Sequence, residues 1–183
     1  MAIKTFTTGE VLTSSDTNTY LANSGLVFVK SQTIGSGVSS VTVSAAFSAE
    51  YDNYRIVVNG GLASNNSSLT MQLGSSVTGY YTGLNYVVYT ASVTPQAAGD
   101  NNAATWGYVG YGTTNSLSAS FDLINPFAAK FTQFHAPGWA ALTAAGTASG
   151  VHQVATSYTA FNLLPGLGTM TGGTITVYGY RKA

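Results

Sequence analysis

Leu117-Ser118-Ala119-Ser120-Phe121-Asp122-Leu123-Ile124 reads as a strand with one dry and one wet face. Successive side chains of a strand point to opposite faces, so Leu117, Ala119, Phe121 and Leu123 share a side. Leu69-Thr70-Met71-Gln72-Leu73 repeats the pattern, with Thr70 and Gln72 facing away. Working outward, further strands are predicted at Leu26–Thr33, Val41–Phe47, Tyr54–Val58, Tyr86–Tyr89, Thr105–Tyr111, Lys130–Phe134, Val151–Ala155, Ala160–Leu164 and Thr174–Tyr180. Gly60-Gly61 is expected to close the Tyr54–Val58 strand. Ala91–Asn102, with Pro95, Gly99 and Asp100-Asn101-Asn102, is expected to be a long loop. Ala128–Ala148, rich in Ala and Gly and containing Pro137-Gly138, is expected to include another. About ten or eleven short strands at near-regular spacing predict an all-β sandwich or barrel.

Residues 1–24 read differently. Thr13 and Asp16 have the spacing of a capping box, with Asp in place of the usual Glu. A short helix is expected from about Ser14 to Ala22, ended by Asn23-Ser24-Gly25. So short a helix is marginal in water and must dock on something. The organisation expected is a docking arm over residues 1–24 and a β-sandwich over residues 25–183.

The composition excludes several functions. Charged residues make up 7% of the chain, against about a quarter in ordinary globular proteins. Six basic and six acidic residues cancel, so the basic footprint of a nucleic-acid binder is missing. An apolar content of 45% and twelve tyrosines separate the chain from disordered sequences. No cysteine is available for a disulfide, a thiolate metal site or a thiol nucleophile. No secretory signal and no membrane-length apolar run is visible, so membrane insertion is not expected. A net charge near zero gives a free monomer little protection from aggregation, and points to a surface covered in an assembly.

No catalytic set is expected. Glu50 and Asp52 could share a strand face, but Ala49-Glu50-Tyr51-Asp52-Asn53 reads as a turn. His135 and His152 lack metal-ligand spacing and read as structural residues. No G-x-S-x-G pattern occurs, and Gly172-Gly173 precedes a strand rather than a helix, so it makes no phosphate loop. No cofactor is implied. The aromatic cluster Tyr80, Tyr81, Tyr86, Tyr89, Trp106, Tyr108 and Tyr111 is the richest feature. Tyrosine buries area while keeping a polar tip, which suits a subunit interface. Aromatic faces also pack on sugars, which makes Tyr81, Tyr86, Trp106 and Tyr108 candidate interface or glycan contacts.

Phe6-Thr7-Thr8-Gly9-Glu10-Val11-Leu12-Thr13-Ser14-Ser15-Asp16-Thr17-Asn18-Thr19-Tyr20-Leu21 resembles a segment at the start of many tailed-bacteriophage virion proteins. Gly172–Arg181 is similar to their closing strand, and Tyr51-Asp52-Asn53-Tyr54-Arg55-Ile56 resembles their early turn-and-strand unit. Together these segments cover about a fifth of the chain. The resemblance implies a jelly-roll-like domain, with Phe6, Val11, Leu12, Tyr20 and Leu21 of the docking segment as the candidates for contact with other virion proteins. It also implies a homotrimer located in the virion, as a tail-fibre or tail-appendage component that assembles into particles and attaches to the host. A capsid decoration or head-fibre protein, and a glycan-binding module facing a host surface glycan, are the alternatives.

Overall fold

The computed structural model describes residues 7–16, 25–90 and 93–182. After a single helical turn, α1 (Ser14–Asp16), twelve antiparallel strands follow. They are β1 (Leu26–Thr33), β2 (Val41–Val43), β3 (Asn53–Ala63), β4 (Ser67–Leu73), β5 (Tyr80–Val88), β6 (Thr94–Ala103), β7 (Trp106–Gly112), β8 (Leu117–Ile124), β9 (Thr132–Ala140), β10 (Ala144–His152), β11 (Phe161–Pro165) and β12 (Met170–Tyr180).

Eight of these strands form the body. One sheet runs β1-β12-β3-β8 and the other β2-β11-β4-β7. Numbered among themselves in chain order, the body strands stand 1-8-3-6 and 2-7-4-5, which is the jelly-roll order. The other four make two hairpins, β5–β6 inserted between β4 and β7, and β9–β10 between β8 and β11. They join through a β10–β5 ladder into an extension sheet, β9-β10-β5-β6. β8 is the corner: Leu117–Ala119 pair with β7, and Asp122–Ile124 pair with β9.

The inward faces follow the alternation. Leu117, Phe121 and Leu123 of β8, Tyr54, Ile56 and Val58 of β3, and Ile175 and Val177 of β12 are buried against Leu69, Met71 and Leu73 of β4 and Phe161 and Leu163 of β11. Each such side chain contributes roughly 1.5–3 kcal/mol by leaving water. The expected strands Leu26–Thr33 and Leu117–Ile124 have the predicted limits.

Three expectations are corrected and one is refined. β3 does not close at Gly60-Gly61 but runs to Ala63. Gly60 takes φ 76°, which a glycine adopts without strain, and the ladder shifts register there opposite Gly172 and Gly173 of β12. The 91–102 stretch is a strand over most of its described residues: β6 pairs with β5 from Thr94 to Ala103. β6 is an edge strand, where Pro95 costs no ladder bond that a neighbour needs. Ala128–Ala148 includes the expected loop, at 128–131, but also holds β9 and most of β10. Pro137-Gly138 sits in a bulge, because Ala136 pairs with Ala148 and Trp139 with Gly146. Finally, β9 begins at Thr132, turning Thr132 and Phe134 inward and leaving Phe131 exposed.

In the arm, the capping box is formed. The Asp16 backbone N–H donates to Thr13 Oγ1 at 3.1 Å, and the Thr13 N–H donates to Asp16 Oδ2 at 3.2 Å. The helix expected to continue to Ala22 lies outside the described residues beyond Asp16, as do Phe6, Tyr20 and Leu21. Val11 and Leu12 are exposed. No helix among the described residues is long and apolar enough to cross a membrane.

Candidate functional site

The extension sheet leans on β4 and β7 of the body, and a groove opens along the junction. Trp139 of β9 forms its floor and is 6% exposed. Three tyrosines stand around that indole. Tyr86 of β5 lies 5.9 Å from it between ring centroids, Tyr108 of β7 6.0 Å, and Tyr111 of β7 5.8 Å. All three are edge-to-face, at 67°, 84° and 90°, the arrangement that aromatic quadrupoles favour. The tyrosines are only half-buried, so each keeps part of its surface toward the groove.

Local sequence explains this placement. Even-numbered residues of β5 face the body, so Tyr80, Thr82 and Leu84 are buried while Tyr86, further along the same face, reaches the groove. Tyr108 has φ 61°, a conformation costly for a bulky side chain. A register shift between Leu69 and Met71 of β4 accompanies it. The turn of the backbone there directs Tyr108 and Tyr111 to the groove and keeps Trp106 and Val109 in the core.

The groove has two lobes of about 420 and 400 Å³, which share Ser67, Ser68 and Tyr108. Both fall in the size range of small-ligand sites. The second lobe contains Asp100 of β6. Its carboxylate sits over Gly107, where a Cβ would come within 2.6 Å of Oδ2. Among the described residues this carboxylate makes no hydrogen bond or ion pair. Burial, then the Asp100 charge, then Tyr86 push the Tyr108 hydroxyl above its ordinary pKa. Among the described residues no Lys, Arg or His lines either lobe.

The four aromatic candidates separate. Tyr86 and Tyr108 meet in the groove. Tyr81 is on the opposite face of β5, beside a shallower depression of about 550 Å³ that also includes His135 and Ser149. Trp106 is fully buried, 5.3 Å from Tyr80 and 5.1 Å from Phe134, and this corrects its assignment as a surface contact. Trp139 and Asp100 were not among the sequence candidates, because both fall in stretches expected to be loops.

Several other polar groups are held by neighbours. Arg55 donates to both oxygens of Asp122, at 2.8 and 2.6 Å, and the Tyr180 hydroxyl donates to the same carboxylate at 2.7 Å. Desolvation pushes the Asp122 pKa up, but the Arg55 and Tyr180 hydrogen bonds outweigh it and hold it below its usual value. Lys182 pairs with Asp52 at 2.8 Å, and the Tyr51 hydroxyl donates to Glu50 at 3.0 Å. These two acids lie in the turn expected from the sequence. His152 is buried under Tyr80, with Nε2 3.1 Å from the Thr78 carbonyl and 2.9 Å from Ser76 Oγ. Among the described residues no group of three His, Cys, Asp or Glu is arranged to hold a metal ion.

No known protein family matches the chain, and no curated protein does. Among solved structures it is similar to a chain of infectious bursal disease virus, Gt strain, at 10% identity and a TM-score of 0.16, covering 99% of this chain and 46% of that one. A chain of the Gx strain is similar at 13% identity and a TM-score of 0.15, covering 84% and 41%. The chain thus spans less than half the length of these viral chains. Likeness at this level carries no argument about fold or function.

Proposed function

We propose that this chain is a non-enzymatic structural protein of a tailed-bacteriophage virion, a tail-fibre or tail-appendage subunit that takes part in particle assembly and host attachment. The observation that carries the reading is the polarity of the jelly roll. The chain enters the body at Gly25, whose carbonyl accepts from Arg181 N–H, and Leu26 pairs with Tyr180. Tyr111 of the groove stands in another row of the ladders. It pairs with Ser118, and the adjoining Leu117 pairs with Gly61, which pairs with Gly172. Gly172 and Tyr180 lie roughly 26 Å apart along β12, at about 3.3 Å per residue. Residues 1–24 therefore join the body at one end of the strands, and the groove opens toward the other; the extension sheet, tied to the body through Asp122–Ile124 near the entry end, runs along the strands to reach it. Such a division suits a subunit held by its N-terminal segment while its far end faces outward. The virion-like N-terminal sequence and the jelly-roll order, an architecture used in viral capsids and lectins, support the same reading.

Self-association is supported by the outer face of the β1-β12-β3-β8 sheet. Leu26 is 42% exposed and Phe28 61%, and Phe28 stands edge-on to Tyr178 at 6.3 Å. With so few charges on the chain, a homotrimer would cover this face and limit aggregation.

The test is complementation of a phage lacking the protein. The chain without residues 1–24 should fold and should fail to enter particles, while the full chain enters them. Equal incorporation of both would overturn the proposed role of the segment. Electron cryo-microscopy of the complemented particles would place the subunit on tail or head, and density on the capsid surface would replace the tail reading by a decoration one.

A further inference from the structure

From the groove over Trp139 we infer a saccharide-binding site that takes neutral or amino sugars and rejects acidic ones. It deepens the attachment reading above, but it stands on the groove's own geometry. Three features define the ligand. The first is stacking surface: Tyr86, Tyr108 and Tyr111 are half-buried in a ring around Trp139, and such rings present flat apolar area at low entropic cost. The C–H face of a pyranose is a flat apolar partner of that kind.

The second is a free acceptor. The Asp100 carboxylate, beside Tyr108, makes no hydrogen bond or ion pair among the described residues, and Gly107 leaves it the room that any larger residue would fill. An ionised carboxylate accepts through both oxygens, which suits two adjacent sugar hydroxyls or one ammonium group, and hydrogen bonds to a charged group are stronger than neutral ones. The third is the missing cation. With no Lys, Arg or His among the described residues of either lobe, a sialic or uronic acid would meet Asp100 without compensation. Two lobes sharing Tyr108 give room for more than one sugar ring, with that tyrosine between them.

The backbone at Tyr108 fits the same picture. A tyrosine held at φ 61° is strained, and such strain persists where the surroundings fix it. Glycine at this position would relieve the strain and remove the stacking ring together. The variant therefore separates binding from folding.

The experiment is a glycan array carrying neutral, amino and sialylated oligosaccharides, probed with the full chain, with hits measured by titration calorimetry. Binding to neutral or amino glycans is expected, with sialylated ones absent. Tyr108→Gly and Asp100→Asn should each weaken a hit by about tenfold, and Tyr81→Ala, on the other face of β5, should not change it. Asp100→Asn leaves the fold intact by removing only an unpaired charge, so it tests the site even if Tyr108→Gly proves unstable. Absence of neutral and amino hits, a preference for sialylated glycans, or unchanged affinity in Asp100→Asn would each overturn the inference. The same variants should enter particles normally. Lost binding with normal incorporation separates the groove from the virion role, and normal incorporation of a chain that binds no glycan would refute the groove alone.

Discussion

Acidification from pH 7 to pH 5 should destabilise this protein through His152. The imidazole is fully buried, 4.2 Å from the Tyr80 ring and 5.5 Å from Tyr158. Burial lowers its pKa, and the Thr78 carbonyl offsets this only in part. If Nε2 carries the hydrogen donated to Thr78, a second proton must go to Nδ1, which is buried without a partner. The sign follows from the lowered folded-state pKa. The unfolded chain takes up a proton below about pH 6.5 while the folded chain resists it, so stability is complete above that pH and is lost as pH falls toward the folded value. If the folded imidazole stays neutral throughout, the unfolded state gains about 1.9 kcal/mol between pH 7 and pH 5, which is the upper limit of the effect. With urea m-values of about 1–3 kcal/mol/M, the midpoint should fall by roughly 1 M. His152→Gln keeps a donor for Thr78 without a titrating ring, and should lose most of this pH dependence. Urea unfolding of both proteins at pH 7.0 and 5.0, followed by tryptophan fluorescence, measures the difference directly. Midpoints of wild type and His152→Gln that fall in parallel would refute the reasoning.

Four further outcomes follow from the same packing. Trp106→Ala should cost about 3–5 kcal/mol, because it opens a cavity at a fully buried site, as measured by urea unfolding. Trp106→Phe should cost clearly less, since it also removes a buried indole N–H that has no partner. Tyr108→Gly should leave the melting temperature within a few degrees of wild type, because relief of the φ 61° strain, about 1–3 kcal/mol, offsets the lost edge contact with Trp139, about 0.5–1.5 kcal/mol. Asp122→Asn should cost about 1 kcal/mol at pH 7, a small figure because the pair is partly exposed to solvent. The lowered Asp122 pKa gives stability that is present above its unfolded value near 3.9 and is lost as pH falls below it. The variant should therefore flatten the unfolding profile below pH 4 and not the one between pH 5 and 7.

The parts of the fold legible in the sequence share one physical property. β4 and β8 have one face against the core and one toward water, so alternation marks both and sets the limits of β8, while β4 starts two residues earlier than its alternating run, at Ser67. The extension strands carry no such record. β6 is an edge strand whose residues are mostly exposed, so Ala97, Ala98 and Gly99 satisfy it as well as larger residues would, and its ladder bonds come from the backbone. Pro95, Gly99 and Asp100 then read as turn signals although they sit in a strand. β9 hides its apolar face behind the Pro137-Gly138 bulge, which breaks the count that would have joined Phe134 to Trp139.

That limit also decided how the site was read. Counting aromatics locates the cluster, but faces depend on parity, and parity is reset wherever a bulge intervenes. Strict alternation along β7 would place Trp106, Tyr108 and Gly110 on one face. The residue at φ 61° breaks that alternation, sending Trp106 inward and Tyr108 to the groove. Trp106 and Tyr108 are thus divided by one backbone torsion that no side-chain pattern encodes. The same torsion ties the groove to the body, because the residue that bears the strain is also the one shared by both lobes. A mutation that relaxes β7 at Tyr108 would therefore alter both lobes together, whereas a change at Tyr86 or Asp100 would alter one.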